Sequence, residues 1–154
     1  MRTIDCQPDG RGRRVAVAVA RFNAPVTELM WEGCRRTLEA QGVEQITLVR
    51  VPGAFELPLT CQWLVRSARF DGVVALGAVV RGETAHFDFI SAECTRGLAQ
   101  VALDTATPVA FGVLTPENGE QALERADPAR KNKGREAALA VLEMMALRAE
   151  IARG

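Results

Sequence analysis

The chain has 154 residues, a length typical of one domain. Nineteen lysine and arginine residues balance nineteen aspartate and glutamate residues, so the bulk charge favours neither a nucleic-acid nor a membrane partner. No apolar run approaches the roughly 18 residues of a membrane span. We therefore expect one globular domain, residues 1–154, in which any anion site is built locally from a few groups.

Four short apolar runs, rich in valine and alanine, predict four buried strands. The predicted strands cover residues 14–20, 46–51, 72–80 and 108–114. Residues 1–13 are polar and rich in glycine, arginine and aspartate, which predicts an extended arm at the amino terminus.

Helices are predicted between the strands and after the last one, at residues 25–41, 58–69, 87–106, 119–126 and 133–149. Proline in the first turn and glycine after the last turn mark the first of them. Strands that alternate with helices imply right-handed βαβ units and a parallel sheet covered on both faces. The sequence thus predicts an α/β fold, a three-layer, flavodoxin-like sandwich with strand order 2-1-3-4.

The cysteines are scattered and form no CxxC pair, and the chain has a single histidine. This pattern argues against a zinc site and against a disulfide framework. It favours four small apolar core residues in a reducing compartment, Cys6, Cys34, Cys61 and Cys94. The first residues lack the apolar core of a signal peptide, so we expect a cytoplasmic protein without a bound metal.

In parallel α/β sheets, ligands bind beyond the carboxyl ends of the strands, near the point where the strand order reverses. Distinctive residues follow each predicted strand. Phe22 and Asn23 follow the first strand, and residues 53–56, 81–86 and 115–118 follow the other three. This edge should gather an aromatic ring, amide and carboxylate groups, glycines and the only histidine. We expect the functional site there.

Residues 82–84 form a turn directly before a predicted helix. The backbone N–H groups of the turn, the Thr84 hydroxyl and the helix dipole would attract an oxyanion such as phosphate. The same residues also suit a tight turn and a helix N-cap, so both interpretations stay open. The imidazole of His86 can exchange protons near neutral pH, although a lone histidine is as often structural.

Two residues near this edge each have two interpretations. Phe22 stands in a polar loop after a strand, where it either offers a stacking platform for a planar ring or packs on the next helix. Glu56 either binds hydroxyl groups or caps the helix predicted to begin at Pro58. Spacing alone predicts only solvated helix faces for three charged residues near the carboxyl terminus, Arg125, Lys133 and Glu136.

Five blocks, in order, resemble the lumazine synthase family. They are RFN at 21–23, VPGAFELP at 51–58, GAVVRGETAHFDF at 77–89, FGVLTPENGEQALERA at 111–126 and NKG at 132–134. The resemblance runs nearly without gaps from about Arg14 to Leu147. It implies a cofactor-independent transferase of riboflavin biosynthesis that condenses 5-amino-6-(D-ribitylamino)uracil with 3,4-dihydroxy-2-butanone 4-phosphate. The products would be 6,7-dimethyl-8-ribityllumazine, phosphate and water.

The resemblance also implies roles for individual residues. Substrate binding would fall to Phe22, Asn23, Ala54, Phe55, Glu56, Val79, Val80, Glu83, Thr84 and Phe111. Catalytic roles would fall to His86, Arg125, Lys133 and Glu136. Phe22 would stack on the pyrimidine, His86 would transfer protons and Arg125 would pair with the phosphate. Family sites lie between subunits, so Phe111 and the three charged residues near the carboxyl terminus would come from the next chain.

A homo-oligomer is a further implication, with riboflavin synthase as an additional partner. The segment 127–131 has the length of the linker in relatives that form icosahedral shells, but its proline and its lack of glycine favour a pentamer. Two other functions stay open, a non-catalytic shell or scaffold protein and a carrier that binds lumazine or flavin without forming it. A flavodoxin-like electron carrier is disfavoured, because no phosphate loop follows the first strand.

Overall fold

The computed structural model describes all 154 residues, and its four parallel strands form one sheet of order β2-β1-β3-β4. The strands are β1 (Arg14–Ala20), β2 (Gln45–Val51), β3 (Gly72–Ala78) and β4 (Val109–Leu114). The central strands β1 and β3 are buried on both faces, as their continuous apolar sequences require. The predicted strand order and the parallel pairing are confirmed.

Helices cover both faces of the sheet. They are α1 (Ala24–Ala40), α2 (Leu57–Arg66), α3 (His86–Thr105), α4 (Gly119–Ala126) and α5 (Lys133–Arg153), with a 3₁₀ turn at Ala54–Glu56. One hydrophobic cluster joins the sheet to α1, α4 and α5, and a second joins the opposite face to α2 and α3. The predicted three-layer α/β sandwich is therefore confirmed.

Three element ends differ from the sequence-based prediction by two residues or more. Strand β3 ends at Ala78, so Val79 and Val80 belong to the loop at the carboxyl edge of the sheet. Helix α2 ends at Arg66, because Ala68 adopts a left-handed backbone conformation with φ of 57°. Helix α5 continues to Arg153, since the sequence contains no helix-breaking residue before Gly154.

The chain carries four free thiols, three of them buried. Burial raises the pKa of the Cys34 and Cys61 thiols to about 12, and it raises the pKa of Cys94 to about 11. These three thiols therefore stay protonated near neutral pH and pack as small apolar residues in the two hydrophobic clusters. Cys6 lies half-buried in the amino-terminal arm.

The amino-terminal arm, residues 1–13, contains no helix or strand. The Arg2 guanidinium donates to the Glu150 carboxylate at 3.1 Å and to the Gly154 carbonyl oxygen at 2.8 Å. The Gly10 N–H donates to the Gln41 carbonyl oxygen at 2.9 Å. The arm thus lies against the carboxyl ends of α5 and α1.

None of the helices is long and apolar enough to cross a membrane.

Helices α1 and α5 cross closely at Gly134. A Cβ atom at this position would overlap the main-chain carbonyl oxygen of Met30, and it would lie 3.0 Å from the backbone nitrogen of Cys34. Both neighbours are backbone atoms of α1 at fully buried positions, so neither can move without displacing the helix. A side chain on Gly134 would therefore push the two helices apart.

We expect Gly134→Ala to lower the free energy of unfolding by about 1–3 kcal/mol, the usual cost of overpacking a close contact. Gly119→Ala is the matched control, because Gly119 also lies in the first turn of a helix but has open space around it. Chemical denaturation of both variants, each at the same protein concentration, measures the difference. Equal denaturation midpoints for the two variants would show that the crossing tolerates a methyl group.

Candidate active site

Loops at the carboxyl ends of the strands are joined by hydrogen bonds. The Phe22 N–H donates to the Pro52 carbonyl oxygen at 3.0 Å, which links the loops after β1 and β2. Asn23 has a left-handed backbone with φ of 64°, and its side-chain amide donates to the Ala78 carbonyl oxygen at 2.8 Å. Asn23 therefore fixes the loop after β1 to the end of β3, while its side-chain oxygen is left to accept a hydrogen bond.

A cavity of about 250 Å³ opens at this edge of the sheet. It is lined by Phe22, Ala54, Ala78, Val79, Val80, Gly82, Thr84, His86, Phe87 and Ile90. Phe22 keeps 72% of its surface exposed, so it does not pack on the following helix. This exposure at a cavity wall favours the interpretation of Phe22 as a platform for a planar ring.

Glu56 lies beside Phe22 on the same side of Gly53. A Cβ atom on Gly53 would stand 3.5 Å from a Glu56 carboxylate oxygen and 3.9 Å from the Phe22 Cβ. The Glu56 side chain makes no capping hydrogen bond to α2, which disfavours the cap interpretation. Its carboxylate can therefore accept hydrogen bonds from ligand hydroxyl groups. Phe55 is 62% exposed and does not line the cavity.

The turn before α3 carries a run of unpaired donors. The N–H groups of residues 82–85 donate to no atom of the chain, and they precede a helix of 20 residues. The Thr84 hydroxyl oxygen accepts a long hydrogen bond, 3.4 Å, from the N–H of His86. Its own proton stays available, because a hydroxyl group can accept and donate at once. The N-cap of α3 is Ala85, not Thr84, and no side chain caps the helix, so the free donors of the turn favour its interpretation as an anion cradle.

Three of the other predicted site residues gather elsewhere. Phe111, Lys133 and Glu136 line a separate cavity of about 410 Å³ between β4 and α5. The Lys133 ammonium lies 2.9 Å from a Glu136 carboxylate oxygen. This cavity and the one beside Phe22 have no lining residue in common. Within one chain, the predicted site residues are thus divided between two places.

Arg125 lines neither cavity. It lies in the last turn of α4, where its guanidinium donates to the Gln121 carbonyl oxygen at 3.2 Å. The nearest carboxylate oxygen, from Glu124, is 3.7 Å away. Two of its nitrogen atoms are thus without close partners in the chain, and a guanidinium in this state can bind an oxyanion with paired hydrogen bonds.

Sequence reasoning missed three wall residues of the first cavity, Ala78, Phe87 and Ile90. Ala78 is the last residue of β3, and the other two lie in the first turns of the helix that follows the next loop, so all three could have been expected near this edge. A larger cavity of about 530 Å³ lies between the carboxyl ends of α3 and α5. Its lining is mostly apolar with one charged residue, Arg148, so it offers little for acid–base or phosphate chemistry. No three histidine, cysteine, aspartate or glutamate side chains gather as a metal site.

A parallel sheet with an aromatic wall, unpaired N–H donors and a histidine at its carboxyl edge defines an α/β enzyme for small anionic substrates. Comparison with protein families matches residues 12–149 to 6,7-dimethyl-8-ribityllumazine synthase. The match covers nearly the whole chain, and the chain belongs to this family. It is a transferase of riboflavin biosynthesis that forms 6,7-dimethyl-8-ribityllumazine from 5-amino-6-(D-ribitylamino)uracil and 3,4-dihydroxy-2-butanone 4-phosphate.

Proposed function

We propose that the condensation takes place in sites shared by neighbouring copies of the chain. One copy would supply the first half-site, the cavity beside Phe22 with its strand-end loops. The next copy would supply the second half-site, the cavity beside Phe111 together with Arg125. The observation that carries this proposal is the division itself, because His86 and Lys133 line two cavities with no residue in common.

The first half-site would bind the pyrimidine substrate. The exposed ring of Phe22 can stack on the planar uracil, with Phe55 at the rim of the site. The Glu56 carboxylate and the Asn23 side-chain oxygen can accept hydrogen bonds from the ribityl hydroxyls. The backbone of Val79 and Val80, which line the cavity directly after β3, would hold the ring edge.

The turn before α3 would bind the phosphate of the second substrate. The N–H groups of residues 82–85, including those of Glu83 and Thr84, donate to no atom of the chain and point to an anion partner. The Thr84 hydroxyl adds a further donor, and the positive end of the α3 dipole favours negative charge there. The two substrates would thereby be held side by side at the carboxyl edge of the sheet.

The chemistry consists of proton transfers around a new carbon–nitrogen bond. The substrate amine attacks the ketone, the carbinolamine loses water, phosphate leaves, and the second amine closes the ring with loss of water. His86 stands at the cavity wall beside the phosphate turn, where its imidazole can take a proton from the attacking amine and return it to the leaving hydroxyl. Holding two substrates together can itself contribute roughly 7–11 kcal/mol.

The second half-site would complete the pocket from the neighbouring chain. Phe111 is 47% exposed on the edge strand β4 and would cover the opposite face of the ring. The guanidinium of Arg125 would pair with the phosphate, and the Lys133–Glu136 ion pair would face the reacting groups. Because one copy then meets a different face of the next, the interface is heterologous and can close into a ring, for which we propose a pentamer.

The proposal extends to the domain organisation, the cellular compartment and the partner of the chain. Residues 1–154 would act as one domain, and the free buried thiols support a reducing, cytoplasmic compartment. Riboflavin synthase would be the partner that uses the product. No observation favours the non-catalytic scaffold or carrier functions, and a turnover assay on the purified protein distinguishes them from the enzyme.

We expect Arg125→Ala to raise the KM for the butanone phosphate by roughly tenfold to a hundredfold, the usual effect of losing charge-assisted hydrogen bonds. The KM for the uracil substrate should change much less, because the guanidinium pairs with phosphate alone. Steady-state kinetics with each substrate varied in turn measures both constants. Arg130→Ala, in the exposed turn between α4 and α5, removes the same charge and is the control. Equal losses for the two substrates would contradict the assignment of Arg125 to the phosphate.

A further inference from the structure

Arg81 joins the phosphate turn to two neighbouring elements. Its main-chain N–H donates to the Pro116 carbonyl oxygen at 3.0 Å, and its side-chain Nε donates to the Glu117 carboxylate at 2.6 Å. Both partners belong to the loop after β4. A second guanidinium nitrogen lies 3.4 Å from the Asp88 carboxylate in the first turn of α3. The guanidinium carbon stands 4.4 Å from the centre of the Phe87 ring.

We propose that Arg81 is the positioning residue of the phosphate turn. It does not line the cavity, so it would act on the substrate through the turn and not by direct contact. The inference rests on the proposed function, which assigns the phosphate to the N–H groups of residues 82–85.

The turn has few other restraints. Residues 81–86 are all exposed, and a Cβ atom on Gly82 would meet no atom within 4 Å. The unpaired N–H groups contribute no hydrogen bonds that could hold the turn in place. The turn is fixed at its two ends instead, by Arg81 before it and by the buried Phe87 after it. Because the Arg81 side chain stacks on Phe87, one residue closes the turn across both ends.

Arg81 also controls the charge around the turn. Asp88 and Glu117 would repel a phosphate dianion if they stood unpaired beside it. The guanidinium pairs with both carboxylates and cancels part of that repulsion. The side chains are partly exposed, so this contribution is screened by solvent, but like charges a few ångströms apart still influence each other at a protein surface. Loss of Arg81 should therefore both loosen the turn and add negative charge near it.

We expect Arg81→Met to raise the KM for the butanone phosphate by about tenfold, while the KM for the uracil substrate stays within about twofold. The inhibition constant of inorganic phosphate should rise in parallel. Glu117→Gln added to Arg81→Met should recover part of the loss, because it removes one of the released carboxylates. Arg81→Lys keeps the charge but loses the fork and the planar stack, so it should raise the KM about threefold.

Arg14→Met is the matched control. Arg14, the first residue of β1, also joins two elements, because it pairs at 3.1 Å with Asp71 in the loop before β3, but it does so at the opposite edge of the sheet. Its side chain is 42% exposed, against 41% for Arg81, so both variants lose partly exposed ion pairs, with one carboxylate partner for Arg14 and two for Arg81. Thermal unfolding of both should shift by similar amounts, whereas only Arg81→Met should change the KM for the phosphate substrate.

Thr84→Val separates this inference from the proposed function. A higher KM for the butanone phosphate in Thr84→Val, together with an unchanged KM in Arg81→Met, would overturn the role of Arg81 and leave the proposed function of the turn standing. Unchanged values in both variants would show that the turn does not bind the phosphate, so the assignment of the turn would fail as well. An equal rise of the KM for both substrates in Arg81→Met would indicate that the substitution disrupts the whole site, and it would also overturn the inference. If Arg81→Met does not assemble, Arg81→Lys is the variant that tests the inference. A KM for the butanone phosphate equal to that of the wild type in Arg81→Lys would then contradict the positioning role of Arg81.

Discussion

His86→Ala should slow turnover by about 10²–10⁴-fold, the usual contribution of a positioned proton carrier. Both KM values should stay within about threefold of the wild-type values, because the ring platform and the phosphate turn are intact. His86 is the only histidine of the chain, so no second imidazole can take over its role. Single-turnover kinetics with both substrates saturating measures the chemical step directly.

Added imidazole provides a test that a structural role would not pass. His86 is exposed at the wall of an open cavity, so truncation to alanine leaves space for a small base. Free imidazole should therefore restore part of the turnover of His86→Ala in a concentration-dependent way and should leave the wild-type rate unchanged. Wild-type turnover in the variant across neutral pH would show that His86 transfers no proton in the rate-limiting step.

The fold could be predicted from the sequence because local patterns and topological rules agree. The run from Val15 to Ala20 is continuously apolar, and the structure buries it between two helical layers. Right-handed crossovers with helices on both faces require the strand order to reverse, and the order that places the first strand between the second and the third is the simplest one that does so. The ends of the helices and strands could be predicted less closely. Helix α2, for example, ends near Ala68, whose left-handed backbone conformation is not one that an alanine side chain favours.

The place of the cavity beside Phe22, which we propose as the first half-site, could be predicted in the same way. Phe22, Glu56 and His86 all follow strand ends, and the rule that ligands bind at the carboxyl edge applies to all three. The sequence left two roles open, because they depend on whether the Phe22 ring is exposed and whether the Glu56 side chain caps a helix. Phe22 proved to be exposed, and the Glu56 side chain does not cap α2. Neither fact can be deduced from composition or spacing.

The second half-site could not be predicted from the patterns alone. Phe111 lies in the middle of a strand, and Arg125 and Lys133 lie on helices, where charged residues usually face solvent. Only the resemblance to a family assigned them to a site. The role of Arg81 could not be predicted from the patterns for a related reason, because its carboxylate partners are 7 and 36 residues away along the chain. A tertiary ion pair of this kind has no sequence period.

When assayed with the butanone phosphate well below its wild-type KM, co-refolded mixtures of His86→Ala and Arg125→Ala should recover about one quarter of the wild-type activity. Under the same conditions the Arg125→Ala parent should keep about a tenth or less of the wild-type activity, and the His86→Ala parent about a hundredth or less. A shared site is intact when its first half-site comes from the Arg125→Ala chain and its second from the His86→Ala chain. Random assembly of equal amounts gives this pairing at about one quarter of the interfaces, whatever the number of chains in a closed ring. Mass spectrometry of the intact assemblies verifies that mixed rings have formed.

The wild-type chain refolded with the double variant His86→Ala/Arg125→Ala supplies the quantitative control. If sites are shared, both contributing chains must be wild type, so equal mixing leaves about one quarter of the activity. If each site lies within one chain, the same mixture keeps about one half, and the mixture of single variants stays inactive. The two mixtures together therefore separate the models without any assumption about ring size. Inactive but verified mixed rings of the single variants would place both residues in a site within one chain and refute the division into two half-sites.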